Sequence, residues 1–340
     1  MAATAHPSDW RLVGALRRPW SDRRAELVLG AAACSVLVFV AGMVVFVFAN
    51  AWPSFRENGI GWFGAPSNGA TVDQQLGTML QAPADPSAWT YDLSAWPLLW
   101  GTLLTTAGAV LVGVVFATFA ALFIVELAPA RVERVLRPVV TLLAGVPSVV
   151  YGLLGILVVA PFVGRLISEE RKASVSGIIS LTGEGWLVGV LILTLMIVPI
   201  MIAIIAEALR QVPAAWKEGA AACGVNRFRV VWTISVRTAR PAIIAAAVLA
   251  TARALGEAIM LAMVTGSVGF APNPIDGLTF LLEPTRPLAA TIVAYQEGLS
   301  VQPFAQTIYA FAALLLLCAM ALSLAGWAAK QPLRRYGIRA

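Results

Sequence analysis

Six long apolar segments constrain this chain more than any other feature of its sequence. Each is long enough to cross a bilayer, because a helix needs about 20 apolar residues to span the hydrocarbon region. Hydrophobic residues make up 59% of the 340 residues and charged residues only 12%, too few to cover a soluble protein of this size. The sequence therefore predicts an all-α integral membrane protein with six transmembrane helices. Their approximate bounds are 27–50, 97–126, 139–163, 186–208, 242–265 and 307–329.

Basic residues are distributed unevenly between these segments. The tail 1–26, the short loop after the second segment, the loop 209–240 and the tail 330–340 together hold 18 of the 24 basic residues. The alternate connections hold 5. Because Lys and Arg accumulate on the cytoplasmic side, we expect both termini and these two loops to be cytoplasmic, in a multi-pass protein of the cell membrane.

The first apolar segment could also be a secretory signal, because Ala49-Asn50-Ala51 is typical of a cleavage site. Its apolar core is longer than the roughly 7–15 residues of a signal, so we expect a retained transmembrane helix at 27–50. Region 51–96 is predicted to be an extracytoplasmic loop with short helices or partial disorder. Its tryptophans near the ends of the apolar segments are typical of an interfacial aromatic belt, and they are Trp52, Trp62, Trp89, Trp96 and Trp100.

The composition also excludes several kinds of chemistry. The three cysteines form no CxxC pair, and a single histidine, His6, cannot build a zinc site or a Ser-His-Asp triad. No lysine follows a glycine, so the chain has no phosphate-binding loop for ATP. We therefore expect no cofactor, no metal and no catalytic residue. The net charge of +6 lies in short segments between apolar runs and not in a basic groove, so nucleic acid is not an expected partner.

The loop 209–240 contains a predicted helix–turn–helix elbow. Pro213 suits a first helical turn and Gly224 suits a helix C-cap, with a second short helix after it. This loop resembles the EAA loop of permeases in binding-protein-dependent ABC importers, whose pattern is Glu-Ala-Ala, three residues, Gly, nine residues and then Ile-x-Leu-Pro. The chain has Glu218-Gly219-Ala220, three residues and then Gly224. It departs from the pattern in having Gly219 in place of Ala, and Thr238-Ala239-Arg240-Pro241 in place of the Leu-Pro end. The alternative is an ordinary amphipathic connector at the membrane surface.

Arg253 and Glu257 lie inside the fifth apolar segment. A charged residue at the centre of a membrane helix costs about 2.5–3.5 kcal/mol, so both are expected to face the bundle interior or a cavity. Twelve residues separate Pro241 from Arg253, which is about 18 Å of helix and places Arg253 near the middle of the bilayer. On one helix Arg253 and Glu257 would share a face and could pair. Arg also suits bidentate binding of an oxyanion, and a purely structural ion pair is the alternative.

The third apolar segment is interrupted by Gly145-Val146-Pro147, followed by Ser148-Val149-Val150-Tyr151-Gly152. Such breaks are tolerated in a membrane where the backbone faces protein or a water-filled cavity. The freed amides and the hydroxyls of Ser148 and Tyr151 could donate to an anion. A helix kink with small-residue packing is the alternative.

Both stretches resemble phosphate permeases of ABC importers, of the PstC and PstA type. Arg253, Gly256 and Glu257 match their Arg-x-Leu-Gly-Glu segment, and 145–152 matches their Gly-Ile/Val-Pro-Ser-Val-Val-Tyr-Gly signature. The run Met260-Leu261-Ala262-Met263-Val264 and the basic N-terminal tail are more similar to PstC. The resemblance covers about 97–329 and implies a type I importer permease (MetI-like) fold, with five transmembrane helices in that core.

The resemblance implies a function and a set of partners. The substrate would be inorganic phosphate, driven by ATP hydrolysis in a partner subunit, and Glu257 could hold Arg253 when the site is empty or share a proton with hydrogen phosphate. The implied partners are a PstA-like permease, PstB-like ATPase subunits, a PstS-like extracytoplasmic phosphate-binding protein and membrane lipid. The implied substrate residues are Arg253, Glu257, Ser148 and Tyr151, and the implied coupling residues are Glu218, Gly219, Ala220, Gly224 and Arg227.

Three alternatives stay open from the sequence. A permease of the same class could carry another oxyanion, such as sulfate or molybdate. An ion-coupled secondary transporter would need no ATPase, and a membrane scaffold protein would transport nothing.

Overall fold

The computed structural model describes residues 20–64, 71–83, 85–174 and 180–334. Residues 1–19 of the predicted N-terminal tail and 335–340 of the predicted C-terminal tail lie outside the described residues. The regular structure of the described part is helical. Its α-helices, in chain order, are α1 (Trp20–Asn58), α2 (Val72–Leu80), α3 (Trp96–Leu122), α4 (Ala130–Ala144), α5 (Ser148–Leu154), α6 (Ala160–Leu166), α7 (Glu169–Ser174), α8 (Trp186–Arg210), α9 (Ala214–Ala222), α10 (Arg227–Val230), α11 (Val236–Leu255), α12 (Ile259–Val264), α13 (Leu288–Ala294) and α14 (Gln302–Arg334).

Shorter helical segments extend or join these helices. Three π-helical segments extend α3, join α5 to α6 and join α10 to α11, and they are Phe123–Leu127, Gly155–Val159 and Val231–Ser235. The 3₁₀ segments are Gly59–Phe63, Pro86–Ala88, Pro274–Leu282 and Gln296–Ser300.

Six helical stretches of the described residues are long and apolar enough to cross a membrane. The prediction of an all-α protein with six membrane-spanning helices is therefore confirmed. The stretches are Arg24–Phe63, Trp96–Leu127, Ser148–Leu166, Trp186–Arg210, Arg227–Leu255 and Gln302–Ala328.

The contacts divide the chain after Asn50 into two units. The first unit contains the part of α1 that precedes Ala51. The large apolar side chains of this part are exposed, Leu37 and Phe39 among them. A helix that is apolar all round needs lipid or protein around it, so this surface suits a membrane environment.

In the second unit, α8 is the central helix and packs against α3 and α11. Its side chains Leu193, Ile197 and Ile205 are completely buried. The facing helices contribute small residues, because Ala109 of α3 and Ala246 of α11 are also completely buried. Small side chains let helices approach closely, which is how helices pack where lipid supplies no hydrophobic driving force between them.

The third predicted span begins later than expected, at Ser148 and not at 139. The helix α4 ends at Ala144 and is capped by Gly145. Pro147 has no backbone N–H and disfavours helical backbone at the residue before it. The residues from 139 to 144 therefore belong to α4, a separate amphipathic helix on the N-terminal side of the break.

The fifth predicted span is shifted in the opposite direction. Its helix begins at Arg227, passes through Pro241 and ends at Leu255, so the expected continuation to 265 is wrong. Gly256 follows the helix, and a separate short helix, α12, starts at Ile259.

The region 51–96 is packed into the second unit to a degree that the sequence does not predict. Trp62 is completely buried, and its ring lies edge-on against Phe311, with ring centroids 5.5 Å apart. Its indole nitrogen donates to the carbonyl oxygen of Ser54 at 3.2 Å, and the Ser54 hydroxyl lies 3.3 Å from that of Thr307. The interfacial interpretation of Trp62 is therefore wrong, because this tryptophan is part of the protein core.

Candidate functional site

Arg253 lies in the last turn of α11, where the partial negative charge of the helix C-terminus favours a cation. Within the described part of the chain its side chain is exposed, and no ion pair or hydrogen bond involves it. It lines an open recess of about 390 Å³ whose other walls are mostly apolar, including Ile197 and Ile200 of α8 and Leu249 of α11. The recess thus holds one guanidinium with its five donors available.

Glu257 lies beyond the end of that helix and has a different role in the structure. Its carboxylate accepts a hydrogen bond from the backbone N–H of Met260 at 3.3 Å, at the start of α12. A carboxylate at a helix N-terminus is favourable because it meets the positive end of the dipole. Arg253 and Glu257 are four residues apart, but the helix ends at Leu255 between them, so the geometry that would pair them is lost. No ion pair joins them where both are described.

The C-terminal half of α5 and the residue after it pack directly against α12. A Cβ atom placed on Gly152 would lie 2.9 Å from the sulfur of Met263 and 3.3 Å from the Cα of Met260, and one on Gly155 would lie 2.5 Å from Val264. Only glycine leaves room for this approach. The second half of α5, with the residue that follows it, therefore lies in close contact with α12 along the length of that short helix.

Tyr151 and Ser148 occupy the first two turns of α5. Tyr151 is buried and donates its hydroxyl proton to the carbonyl oxygen of Leu143, at the end of α4, at 2.9 Å. The positive charge of Arg253 acts on Tyr151, although no hydrogen bond joins these two described side chains. Ser148 is the first residue of the helix and is half-buried. Its N–H is among the first amides of the helix, which have no partner in the helix itself.

The predicted substrate residues are thus brought to one region. The charge of Arg253 acts on Tyr151, and Glu257 accepts a hydrogen bond from Met260 of α12. Met260 lies against Gly152 of α5, the helix that Ser148 begins. The group offers a guanidinium and helix-terminal amides, both of which suit an oxyanion. The hydroxyl proton of Tyr151 is already used by Leu143, so this side chain would have to turn away before it could donate to a ligand.

The loop 209–240 forms the predicted elbow. The helix α9 ends in a Schellman turn, in which the N–H of Gly224 donates to Ala221 at 2.9 Å and that of Val225 to Ala220 at 3.2 Å. Gly224 has a φ of +78°, in the left-handed region that favours glycine. Glu218 and Gly219 are exposed, and a Cβ on Gly219 would meet nothing within 4 Å.

Arg227 lies on the other arm of the elbow and contacts the end of α3. Its guanidinium donates to the backbone carbonyl oxygen of Glu126. Lys217 of α9 reaches the carboxylate of the same glutamate, with 2.5 Å between Nζ and Oε1. Sequence reasoning identified Arg227 but not these contacts.

A second cluster was missed by sequence reasoning. Arg286 is nearly completely buried and forms an ion pair with Asp73 of α2. The Tyr295 hydroxyl donates to the same carboxylate at 3.1 Å, and the Arg286 guanidinium lies 5.1 Å from the centre of the Tyr295 ring. Burial raises the pKa of Tyr295, so its hydroxyl keeps the proton it donates. Two of these residues are 213 positions apart in sequence, so no local pattern indicates the pair.

A model of the family described as "Binding-protein-dependent transport system inner membrane component" matches residues 109–331. The chain belongs to this family. It is therefore the membrane permease component of an ABC transporter, which works with separate ATPase subunits and a substrate-binding protein. The EAA-like elbow and the expectation that this chain does not itself hydrolyse ATP agree with that membership.

Curated relatives of this permease include phosphate transporters. It is 34% identical over 260 residues to the phosphate transport system permease protein PstC 1 of Mycobacterium tuberculosis, covering 73% of this chain and 74% of that protein. It is 27% identical over 344 residues to PstC of Xylella fastidiosa, covering 95% and 98%. The probable ABC transporter permease protein YqgH of Bacillus subtilis is 29% identical over 260 residues, covering 76% of each. The predicted resemblance to PstC-type permeases is confirmed.

Solved structures of ABC transporters share the fold of this permease. A chain of a bacterial alginate ABC transporter, solved with its pentasaccharide-bound periplasmic protein, has a TM-score of 0.56 at 16% identity, covering 93% of this chain and 98% of that one. A chain of the MetNI methionine transporter has a TM-score of 0.50 at 19% identity, covering 68% and 93%. At identities this low the similarity shows the fold alone. The shared fold confirms the predicted type I, MetI-like architecture.

Proposed function

We propose that this chain is the PstC-type permease subunit of an ATP-driven importer of inorganic phosphate. The observation that carries the proposal is Arg253, a guanidinium without an ion-pair partner in the described structure, in an otherwise apolar recess of a chain related to phosphate permeases. An unpaired charge in a membrane protein is expensive and marks a functional site. Hydrogen phosphate matches the planar, bidentate geometry of arginine.

The neighbours of Arg253 have distinct roles in this proposal. The Ser148 hydroxyl and the first amides of α5 donate hydrogen bonds to one side of the anion. Tyr151 holds the end of α4 against α5 through Leu143 and can exchange that contact for one with substrate. Glu257 keeps the start of α12 in place, and its negative charge favours an anion that carries a proton to share with it. Hydrogen phosphate has such a proton.

The partners follow from the same proposal. A PstA-like permease covers the open side of the recess, and PstB-like ATPase subunits bind the elbow through Glu218, Gly219, Ala220 and Gly224. A PstS-like protein delivers phosphate from outside, and lipid surrounds the remaining apolar faces. Both termini and the elbow are cytoplasmic, and 51–96 is extracytoplasmic, as the distribution of Lys and Arg favours.

The test is ATP-dependent uptake of labelled phosphate by the co-purified four-component complex in proteoliposomes. Replacing Arg253 with alanine should lower uptake at least roughly 30-fold while the complex still assembles. In the complex the PstA-like permease would enclose the contact with phosphate, and losing one partner of a desolvated charge contact commonly costs about 2 kcal/mol or more. Arg165→Ala is the matched control, since Arg165 also lies exposed in the last turn of an apolar helix. It should leave uptake unchanged.

Each other outcome counts against a stated part of the proposal. Normal uptake by the Arg253→Ala complex removes this residue from the site. If excess sulfate or molybdate abolishes uptake and excess phosphate does not, the transported substrate is another oxyanion. Uptake by the chain alone, without ATP, would assign an ion-coupled transporter.

A further inference from the structure

Both arms of the elbow are fastened to a single residue, Glu126. Lys217, before the Schellman turn, forms an ion pair with its carboxylate, and Arg227, after the turn, donates to its backbone oxygen. The elbow is rigid between these two contacts because its turn is closed by backbone hydrogen bonds at Gly224 and Val225. A displacement of the elbow must therefore move Glu126 or break both contacts.

The ion pair is sheltered from water. The Glu126 side chain is 10% exposed and that of Lys217 is 26% exposed. Most surface ion pairs are screened and contribute little, but a partly buried pair is screened less. Glu169 and Lys172 offer a comparison within the same chain, because they pair at 2.8 Å with the glutamate 87% exposed.

Glu126 lies at a junction that leads to the substrate residues. It belongs to the π-helical segment Phe123–Leu127, and such segments often occur at functional positions. The helix α4 follows after two residues. Its first turn holds Glu133, which pairs with Arg210 at the end of α8, with 3.0 Å between Nη2 and Oε1. A recess of about 210 Å³ between α4 and α8 leaves α4 room to shift.

The far end of α4 reaches the candidate substrate site. The carbonyl oxygen of Leu143 accepts the hydroxyl of Tyr151, which interacts with Arg253. A continuous series of contacts thus runs from Lys217 and Arg227 through Glu126 and α4 to Tyr151, one of the candidate substrate residues.

We infer that Glu126 is a positioning residue that transmits movement of the elbow to α4 and so to the substrate site. The inference rests on the proposed function, because it assumes that an ATPase subunit binds the elbow.

The first experiment measures phosphate imported per ATP hydrolysed by the full complex in proteoliposomes. Glu126→Gln keeps the backbone oxygen that Arg227 binds and removes the charge that holds Lys217. We expect this variant to co-purify with the ATPase and to hydrolyse ATP, but with a ratio of phosphate to ATP lower by roughly fivefold or more. Glu169→Gln, which breaks the exposed pair, should keep the ratio of the unaltered complex.

A double-mutant cycle then tests whether the pair acts as a unit. Lys217→Met should lower the ratio as Glu126→Gln does, and the double variant should be no worse than either single variant. Additive losses, or an unchanged ratio in Glu126→Gln, would overturn the inference. Loss of ATPase from the purified Glu126→Gln complex would also overturn it, because Glu126 would then support docking and not transmission.

A second readout separates this inference from the proposed substrate. In the unaltered complex, ATP binding should change amide hydrogen exchange across 130–151, and in Glu126→Gln this change should disappear. The measurement needs no phosphate. If the unaltered complex imports no phosphate but its exchange changes depend on Glu126, the proposed function fails and the coupling role stands. The same exchange change in both complexes refutes the coupling role.

Discussion

Removing the carboxylate of Asp73 should destabilise this permease more than almost any other single change outside the helix core. Arg286 has a side chain only 5% exposed, and Asp73 is its ion-pair partner. The carboxylate also accepts hydrogen bonds from Tyr295 at 3.1 Å and from the backbone N–H of Gly269 at 3.3 Å. In Asp73→Ala the buried guanidinium keeps its charge but loses its ion-pair partner, and it retains the Ser267 carbonyl oxygen and the Tyr295 ring beside it.

The size of the expected loss of stability depends on which residue of the ion pair stays buried after its partner is removed. Breaking a buried pair by removing one partner costs about 3–5 kcal/mol, because an uncompensated charge stays buried. Asp73 itself is 36% exposed, so water can partly replace its carboxylate, and we expect about 2–4 kcal/mol. Replacing Arg286 with methionine in the same variant removes the stranded charge, so the double variant should recover most of the loss.

The assay is thermal unfolding of the detergent-purified chain, followed by circular dichroism. Asp73→Ala should lower the midpoint by several degrees, and Asp73→Ala combined with Arg286→Met should be more stable than Asp73→Ala alone. Asp85→Ala serves as control, because that fully exposed carboxylate bonds only locally, to Ser87 among the described residues. If the double variant is less stable than the single one, a stranded charge is not the cause and the reasoning is refuted.

Two further predictions concern glycines. Gly155→Ala places a Cβ 2.5 Å from Val264 and 3.1 Å from Ile192, so it should destabilise the chain by about 1–3 kcal/mol in the same thermal assay, and an unchanged midpoint would mean that α5 can move away freely. In the elbow, Gly219→Ala should raise the stability of the chain by about 0.5–1 kcal/mol, because position 219 is helical and has open space for a Cβ atom. Gly224→Ala should lower it by about 1–2 kcal/mol, because the backbone φ at position 224 is +78°. Gly224→Val should in addition weaken co-purification of the ATPase, and the same sign for both alanine variants would contradict the assigned backbone geometry.

Local signals in the sequence predict much of this structure. Long apolar runs predict the six spans, and the spacing of Pro213 and Gly224 predicts the elbow, because a helix start and a left-handed C-cap are properties of a few adjacent residues. The resemblance of the motifs around Arg253 and Tyr151 to those of phosphate permeases places both among the implied substrate residues. Their roles with substrate stay predictions.

Other features depend on contacts between distant parts of the chain and could not be predicted. Nothing near Trp62 indicates that it packs against Phe311, because an interfacial and a buried tryptophan have similar neighbours in sequence. Gly256 alone gives little reason to end a helix at Leu255 inside an apolar run. Packing of α12 against Gly152 and Gly155 makes that break favourable, and this packing is visible only once both helices are placed.

The turn of the elbow has a consequence for how an ATPase would recognise it. Its bend is held by two main-chain hydrogen bonds, donated by the N–H groups of Gly224 and Val225, and by the left-handed backbone of Gly224. The elbow therefore has its shape before any partner binds. A preorganised surface loses little conformational entropy on association. More of the interaction energy is then available for driving the rearrangement that follows nucleotide binding, and less is consumed in forming the surface itself.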